Sequence, residues 1–232
     1  MPKYLVCNWK ANKTEKETIE WFREVTVFDF SKLKDIEIIA CLPFVFLAVA
    51  KSEIERNKLP IKLGAQNVSH FKEGPYTGVV TAGMLQGLVD YVMIGHSERR
   101  KLLGETDEMV KEKLTICLSH NLSPIICVSN LDQVNFLKKE FKNEKARENS
   151  IFLYEPIEAI GSGKAENPKE TCDIIMTIKK IIGEIPVLYG GSVTPDNVSA
   201  YLTNSQIDGV AVGGASLDSA SFLTILKNVA KI

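Results

Sequence analysis

Glu155 is a candidate proton acceptor, because it ends the apolar segment Ile151–Glu155. A carboxylate beside apolar residues loses hydration, which makes it a stronger proton acceptor once water is excluded. A glutamate that simply turns into solvent at a strand end is the alternative interpretation. The connection from Glu155 to Asn167 contains Gly161 and Gly163 and is long enough to close over a site as a lid. We therefore interpret Glu155 as a general base.

His96 follows the apolar segment Tyr91–Gly95 and precedes Ser97. If Ser97 caps a helix, the imidazole lies near the positive end of the helix dipole, which disfavours protonation. A neutral imidazole donates a hydrogen bond to a substrate oxygen and exchanges protons with it. A lone histidine is more often structural, and His70 and His120 have no comparable placement. We assign chemistry only to His96.

Lys10 is a third candidate, directly after the first apolar segment, which ends at Asn8. Most lysines are solvated surface groups, but here the side chain offers a fixed positive charge to a phosphate or to a developing enolate. Glu98 either pairs with Lys10 or Arg99 inside the site, or is an ordinary acid at a helix start. The sequence leaves both alternatives open.

Two double-glycine turns follow the last two apolar segments, Gly190-Gly191-Ser192 and Gly213-Gly214. Backbone N–H groups approach a phosphate closely where no Cβ intervenes, and turns after the seventh and eighth strands of a barrel often hold phosphate. For one such turn, a strand end is the simpler interpretation. Two turns in equivalent positions favour a phosphate site.

The elements that position these residues form a repeated pattern of short β-branched segments, each followed by an amphipathic stretch. The segments are almost continuously apolar, as strands covered on both faces must be. Eight such units in 232 residues predict an α/β fold, a closed (β/α)8 barrel of parallel strands within a ring of helices. The predicted strands are Tyr4–Asn8, Ile36–Leu42, Ile61–Ala65, Tyr91–Gly95, Pro124–Val128, Ile151–Glu155, Pro186–Gly190 and Gly209–Gly213.

A doubly wound open sheet is the alternative fold, but no G-x-G-x-x-G motif follows the first segment. No linker divides the chain, so residues 1–232 are predicted to form a single catalytic domain. Helix starts are predicted at the capping box that begins at Thr14 and at the cap-plus-proline pairs that begin at Asn167 and Thr194.

The connection Gln66–Val80 is far longer than the roughly 2–6 residues usual between a strand and its helix. It carries Phe71, Tyr76 and Val79, so its tip has an apolar surface. We expect another surface to cover this tip.

Composition excludes several classes of function. The 28 Lys+Arg and 29 Asp+Glu residues give a formal charge of −1, which leaves no basic excess for nucleic acid. The longest apolar run, residues 38–50, is short of the roughly 20 residues of a membrane span, and no export signal is visible. Five cysteines without a C-x-x-C pair predict free thiols and a cytoplasmic location. No histidine or cysteine spacing matches a metal site.

Several segments together resemble triosephosphate isomerase, and the similarity extends in order along the whole chain. The His-Ser-Glu-Arg-Arg and Tyr-Glu-Pro segments are the most specific. The segments that carry the resemblance are Asn8-Trp9-Lys10, Gly64–Asn67, Ile94–Arg100, Tyr154-Glu155-Pro156, Ala159–Lys164, Tyr189–Val193 and Val212–Leu217.

The resemblance implies interconversion of dihydroxyacetone phosphate (glycerone phosphate) and D-glyceraldehyde 3-phosphate in glycolysis and gluconeogenesis, with no cofactor and no metal. It implies that Glu155 is the base, that His96 is the electrophile and that Lys10 is catalytic. Glu98 and Thr77 take supporting roles. Contacts to the substrate and its phosphate carry over to Asn8, Lys10, Gly161, Ser192, Gly213 and Gly214.

The family is homodimeric, and the resemblance implies that the loop Gln66–Val80 inserts Thr77 beside the partner's active site. It also implies a lid from Pro156 to about Ala165. Two residues and one segment depart from the family's usual pattern: Glu158 replaces a tryptophan at the first hinge of the lid, Val79 replaces a common glutamate, and residues 131–150 form a shortened segment.

Two other classes of protein remain as alternatives. Another phosphate-binding barrel, such as a sugar-phosphate epimerase or a carbon–carbon lyase, would share the glycine turns but not the pairing of His96 with Glu155. A catalytically silent binding protein should have lost Glu155, His96 or Lys10, and all three are present.

Overall fold

The computed structural model describes residues 3–232, and its framework is a closed barrel of eight parallel strands. Each strand pairs with the next along the chain, and the last pairs with the first. The predicted barrel is confirmed. The strands are β1 (Lys3–Asn8), β2 (Ile36–Leu42), β3 (Ile61–Ala65), β4 (Tyr91–Ile94), β5 (Ser123–Val128), β6 (Ile151–Tyr154), β7 (Val187–Tyr189) and β8 (Gly209–Val212).

Side chains along the strands alternate between two apolar layers. Val6, Ile39 and Leu188 belong to a cluster that fills the barrel interior. Their neighbours Leu5 and Cys7 belong to the larger cluster between the strands and the helices. Because both faces are buried, the strands are apolar at nearly every position.

Four predicted strands extend one residue too far at their carboxyl ends. Regular pairing ends before Gly95, Glu155, Gly190 and Gly213, which already belong to the loops. Gly95 has a φ of +75°, a left-handed conformation that no strand residue adopts. Polar and glycine residues of the candidate site therefore begin where the sheet ends.

Helices cover the outside of the barrel with their apolar faces inward. On the helix Pro168–Ile182, residues Thr171, Ile175, Ile178 and Ile182 are buried at spacings of three and four. No helix within residues 3–232 has the length and apolar character needed to cross a membrane. The helices are α1 (Glu15–Glu24), α2 (Leu47–Asn57), α3 (Ala82–Leu85), α4 (Ser97–Leu103), α5 (Asp107–Ser119), α6 (Leu131–Leu137), α7 (Glu144–Asn149), α8 (Pro168–Ile182), α9 (Val198–Leu202) and α10 (Ser219–Val229).

Two of the three predicted helix starts are confirmed. The capping box at Thr14 precedes α1, and the cap at Asn167 precedes α8. The start predicted at Thr194 is wrong, because α9 begins at Val198. The Asn197 side chain accepts a hydrogen bond from the Thr194 N–H at 2.8 Å and closes a turn in its place.

The connections that follow the strands meet at the carboxyl end of the barrel. After β3, residues 66–80 run without a helix or strand before α3. After β6, residues 156–167 lead to α8. The short segment between β5 and β6 forms the two short helices α6 and α7.

Candidate active site

A cavity of about 210 Å³ opens at the carboxyl end of the barrel. Residues that lie far apart in the sequence line it together, because all the strands point toward this end. Two larger grooves, of about 590 and 630 Å³, lie elsewhere on the surface and contain none of the predicted site residues. The predicted residues that line the cavity are Asn8, Lys10, His96, Glu155, Gly161, Ser192, Gly213 and Gly214.

Glu155 follows β6 directly, and only 2% of the residue is exposed. Its Oε1 accepts a hydrogen bond from the Ser97 backbone N–H at 2.5 Å, and its Oε2 lies 3.2 Å from His96 Nε2. Burial raises the pKa of Glu155 to about 8, and the hydrogen bond from Ser97 offsets part of that rise. A carboxylate with such a pKa is a good general base near neutral pH.

His96 caps α4 itself, because its Nδ1 accepts a hydrogen bond from the Glu98 backbone N–H at 3.3 Å. The expectation that Ser97 is the cap is therefore wrong by one residue. With Nδ1 as an acceptor, the proton of the neutral ring lies on Nε2, which faces Glu155. Burial lowers the pKa of His96 to about 4, although the nearby Glu98 carboxylate acts in the opposite direction. The imidazole is thus neutral at neutral pH.

Lys10 follows β1 in a left-handed backbone conformation, with a φ of +51°. Its N–H donates to Asn8 Oδ1 at 3.0 Å, and its C=O accepts from Gln66 Nε2 at 2.9 Å. A non-glycine residue in this conformation is strained, and these two hydrogen bonds hold it there. This backbone conformation places Lys10 at the wall of the cavity.

Glu98 forms an ion pair with the Lys10 ammonium group, which is one of the two alternatives that the sequence left open. Arg99 pairs instead with Glu105 at 2.6 Å. Because Lys10 and Glu98 are both partly exposed, solvent screens their attraction. An anionic ligand therefore has to compete with Glu98 for the lysine.

Packing explains the first double-glycine turn. A Cβ at Gly190 would lie 2.9 Å from Leu153 Cδ1, and one at Gly191 would lie 2.8 Å from Ala159 Cβ. Such distances are below any normal contact between carbon atoms. Glycine is therefore required here to let the neighbouring side chains approach the backbone.

The second double-glycine turn borders open space. A Cβ at Gly214 would meet no atom within 4 Å, and one at Gly213 would meet only Lys10 Cε, at 3.8 Å. Packing within the chain does not account for glycine at these two positions. Their backbone N–H groups remain accessible to an anion in the cavity.

The lid, residues 156–165, is seated on the turn that follows β7. Ser192 Oγ donates to the Ala159 C=O at 2.6 Å and accepts from the Gly163 N–H at 3.2 Å. Gly161 and Gly163 have φ angles of +66° and +71°, which glycine adopts without strain. The lid thus covers one side of the cavity that holds Glu155.

Thr77 does not line this cavity. It lies on the exposed part of residues 66–80, beside Tyr76. The Tyr76 ring stacks on Phe71 with centroids 4.3 Å apart, and both rings are partly exposed. The loop therefore presents an apolar tip, as the sequence predicts.

A second cavity of about 250 Å³ lies beside the first and shares Lys10 and His96 with it. Glu98 lines it, and so do Leu102 and Leu103 from the end of α4. These leucines are 71% and 66% exposed, which is unusual for two adjacent apolar side chains.

A buried ionic network behind His96 was missed at the sequence level. Glu105 accepts from the Gly95 N–H at 2.8 Å and from Arg99 and Lys113 at 2.6 Å each. Lys113 also donates to Asn67 at 2.8 Å, which connects the network to the loop after β3. One signal was available, because a lysine falls on the apolar face of a helix. The buried face of α5 consists of Val110, Lys113, Leu114 and Cys117.

Two further contributors carry no local sequence signal. Gln66 holds the backbone of Lys10, and Glu166 makes several hydrogen bonds at the end of the lid. Polar residues in loops have many solvated alternatives, so their type does not reveal a distant partner. Among residues 3–232, no group of three or more His, Cys, Asp or Glu side chains is placed to hold a metal ion.

Comparisons with known proteins agree on one family. The family profile described as "Triosephosphate isomerase" matches residues 3–229. A protein of that name from Alkaliphilus metalliredigens is 38% identical over 242 residues, which cover 94% of this chain and 96% of the relative. The protein of that name from Dictyoglomus turgidum is 38% identical and covers 97% and 99%. The one from Aquifex aeolicus is 34% identical, with the same coverage.

Proposed function

Because the chain belongs to the triosephosphate isomerase family, we propose that it interconverts dihydroxyacetone phosphate and D-glyceraldehyde 3-phosphate. One observation supports this most: Glu155 and His96 Nε2 lie 3.2 Å apart in a cavity that Lys10 also lines. Proton transfer beside a carbonyl requires a base and a hydrogen-bond donor to the oxygen. The pair supplies both.

The reaction is a proton transfer in which Glu155 removes a proton from the carbon beside the carbonyl. The electron pair of the broken C–H bond forms the C=C bond of an enediolate, and negative charge moves to the carbonyl oxygen. Glu155 then returns the proton to the neighbouring carbon, while His96 moves a proton between the two oxygens. No net oxidation takes place, so the steps balance without a cofactor or a metal ion.

His96 stabilises the charge that develops on oxygen. Its Nε2–H points toward Glu155 Oε2, where a substrate oxygen competes for the same hydrogen bond. Binding of substrate therefore frees the carboxylate from one of its two partners and leaves it bound to the Ser97 N–H. The donor is most valuable in the transition state, where the oxygen carries most charge.

The phosphate group lies at the open glycine turn in this proposal. Gly213 and Gly214 border the cavity and offer their backbone N–H groups. Ser192, from the turn after β7, and Gly161, from the lid, border it as well. The Lys10 ammonium lies nearby and contributes charge to both the phosphate and the enediolate. Asn8 lines the same wall and contacts the substrate.

The lid excludes water from the intermediate. An enediolate phosphate that is exposed to solvent loses phosphate, and closure prevents this side reaction. This family is itself a standard example of such a closing loop. The hydrogen bonds between Ser192 and the lid support this role.

We also propose a homodimer formed through the loop Gln66–Val80. The apolar tip of the loop, at Phe71 and Tyr76, is covered only in part by residues 3–232. The cavity beside Lys10, with its exposed Leu102 and Leu103, offers a receptor for that tip in a partner. Thr77 would then approach the partner's Lys10 and His96, where it supports the site.

Residues 1–232 act as a single catalytic domain in this proposal, in the cytoplasm. The family profile spans almost the whole chain, which supports one functional unit. The free cysteines, four of them buried, fit a reducing compartment.

A coupled assay tests the proposed activity directly. Purified protein is given D-glyceraldehyde 3-phosphate, and the ketose product is detected through NADH oxidation by a glycerol-3-phosphate dehydrogenase. The matched control is Glu155→Gln, which keeps the acceptor for the Ser97 N–H but holds no basic carboxylate. We expect turnover by the native chain and a loss of roughly 10²–10⁴-fold in the variant.

Absence of turnover by the native chain would overturn the proposal, as would equal turnover by the variant. Assays with pentose phosphates for epimerisation and with ketose bisphosphates for carbon–carbon cleavage cover the rival barrel enzymes. Activity there without isomerase activity would assign the glycine turns to another reaction.

A further inference from the structure

Three buried tyrosines converge on Glu166, the residue that joins the lid to α8. The Glu166 N–H donates to Tyr189 Oη at 2.8 Å, and the Tyr201 hydroxyl donates to the Glu166 C=O. Tyr154 Oη donates to Glu166 Oε1 at 3.2 Å. The rings of Tyr189 and Tyr201 stack, with centroids 4.4 Å apart. The three hydroxyl groups thus hold both the main chain and the side chain of Glu166 in place.

The Glu166 carboxylate connects two further elements. Its Oε2 accepts from Thr171 Oγ1 at 2.9 Å, and Thr171 is a fully buried residue in the first turns of α8. Tyr154 is the last residue of β6 and directly precedes Glu155. The carboxylate therefore spans the start of the helix after the lid and the end of the strand before it.

The chemistry of this contact calls for a carboxylate. Both oxygens are acceptors only, and each faces a hydroxyl that donates to it. Burial and the nearby Glu166 carboxylate raise the pKa of Tyr154, so its hydroxyl keeps the proton that it donates. The negative charge also lies beside the positive end of α8, which favours it.

We propose that Glu166 is a positioning residue for the reaction. It holds the carboxyl-terminal end of the lid in a fixed position relative to the base, Glu155. Glu166 fixes the end of the lid to Tyr154, so the seating of the lid and the orientation of Glu155 depend on one contact. The proposal rests on the isomerase activity proposed above. Glu166 itself does not line the cavity that holds Glu155.

The alternative is that Glu166 only stabilises the start of α8. A matched control separates the two roles, because Asn167 caps the same helix and, within residues 3–232, its side chain forms no hydrogen bond with the three tyrosines. Its side chain accepts from the Lys169 N–H at 2.9 Å. Asn167→Ala weakens the helix start and leaves the tyrosine contacts in place.

The measurement is the fraction of turnovers that release inorganic phosphate and methylglyoxal instead of isomerised product. This side reaction breaks the C–O bond to phosphate in the enediolate, and it reports water access and lid seating better than total rate does. We expect Glu166→Ala to raise the fraction about tenfold, the effect of losing roughly one charged hydrogen bond. Asn167→Ala should lower the melting temperature but leave the fraction unchanged.

Two further variants keep the inference testable if Glu166→Ala folds poorly. Glu166→Gln preserves size and should give an intermediate fraction, and Tyr154→Phe, which leaves the contact with Thr171 in place, should also raise the fraction. The double variant Tyr154→Phe with Glu166→Ala should equal Glu166→Ala alone, because Glu166→Ala already removes the contact with Tyr154. Additive effects, or equal fractions in Glu166→Ala and Asn167→Ala, would overturn the role of Glu166. If the native chain does not isomerise triose phosphate, the proposed function itself fails.

Discussion

Burial drives Glu155 and His96 toward their neutral forms, and so moves their pKa values in opposite directions. The pKa of Glu155 rises from 4.5 to about 8, and that of His96 falls from 6.5 to about 4. Each group is thereby prepared for its part: Glu155 is a stronger base when ionised, and His96 stays neutral, so that its Nε2–H donates to a substrate oxygen. The same shifts affect stability.

Stability should fall with rising pH between about pH 6.5 and pH 8. In this window the folded Glu155 still binds a proton that the unfolded chain has lost, so unfolding releases a proton and becomes easier as pH rises. His96 contributes little here, because above pH 6.5 most of it is deprotonated in both states, and its small contribution has the opposite sign. Below pH 6.5 the two groups oppose each other.

Urea unfolding at pH 6.5 and pH 8 measures this effect. We expect the unfolding free energy of the native chain to fall by about 2 kcal/mol relative to that of Glu155→Gln, at roughly 1.4 kcal/mol per pH unit. The glutamine variant removes the titrating group and keeps its shape. An equal fall in both proteins would mean that other groups cause the pH dependence.

Lys10→Ala should weaken the binding of a phosphorylated inhibitor. A charged hydrogen bond is worth about 1.5–3 kcal/mol, so the inhibition constant should rise by roughly tenfold to a hundredfold. The matched control is Lys16→Ala, which removes an exposed lysine from α1. Inhibition assays with 2-phosphoglycolate compare them; equal constants for both variants would remove Lys10 from the phosphate site.

Residue types at strand ends could be predicted from the sequence, but apart from the pairing of Lys10 with Glu98 their partners could not. Glu155, His96 and Lys10 follow apolar strands, and the shared direction of the strands brings them to one cavity. The contacts of Gln66 and Glu105 depend on chain segments that meet only after folding. Their polar side chains look like ordinary surface groups in the sequence.

At the scale of elements, the lid contains Glu158, where the resemblance to the family predicts a tryptophan. Glu158 lies in a short 3-10 turn, Ile157–Ala159, and its side chain is exposed and outside the cavity. We therefore expect its charge to affect the opening of the lid and not the chemistry.

Glu158→Trp should change how the lid opens and leave proton transfer intact. An indole at this position has apolar surface to bury against the barrel, which alters the balance between open and closed lid. We expect kcat to stay within roughly tenfold of the native value and its dependence on solvent viscosity to change. Glu112→Trp on the exposed face of α5 is the control. Complete inactivity of Glu158→Trp would show that this hinge acts in the chemistry.

Elements with strong periodic patterns of apolar residues can be predicted well from the sequence. An element whose start depends on one side-chain hydrogen bond cannot. The eight strands were found because two buried faces demand continuous apolar runs. The helix expected at Thr194 begins later, at Val198, because the Asn197 side chain favours a turn. A proline after a threonine indicates a helix start or a turn equally well.

At the scale of the molecule, the carboxyl end of the barrel carries both the catalytic cavity and uncovered apolar surface. Phe71 and Tyr76 lie on one side, and Leu102 and Leu103 lie beside Lys10. In a symmetric dimer the same patch occurs on both copies, so a loop tip and a receptor cavity meet twice. Formation of the dimer would then also complete the site, because each copy supplies Thr77 to its partner.

Leu103→Lys should dissociate the proposed dimer, because each interface loses an apolar contact and buries a charge. The change occurs twice per dimer, and each costs about 1.5–3 kcal/mol, so the dissociation constant should rise at least about a hundredfold. The control is Val27→Lys, which places the same charge at an apolar side chain that is 79% exposed and far from the loop. Sedimentation over a range of concentrations compares the three proteins. The monomer should also lose activity, since Thr77 of the partner would no longer approach Lys10. The interface would be contradicted if the native chain stayed monomeric. It would also be contradicted if the Leu103→Lys variant dimerised as the native chain does.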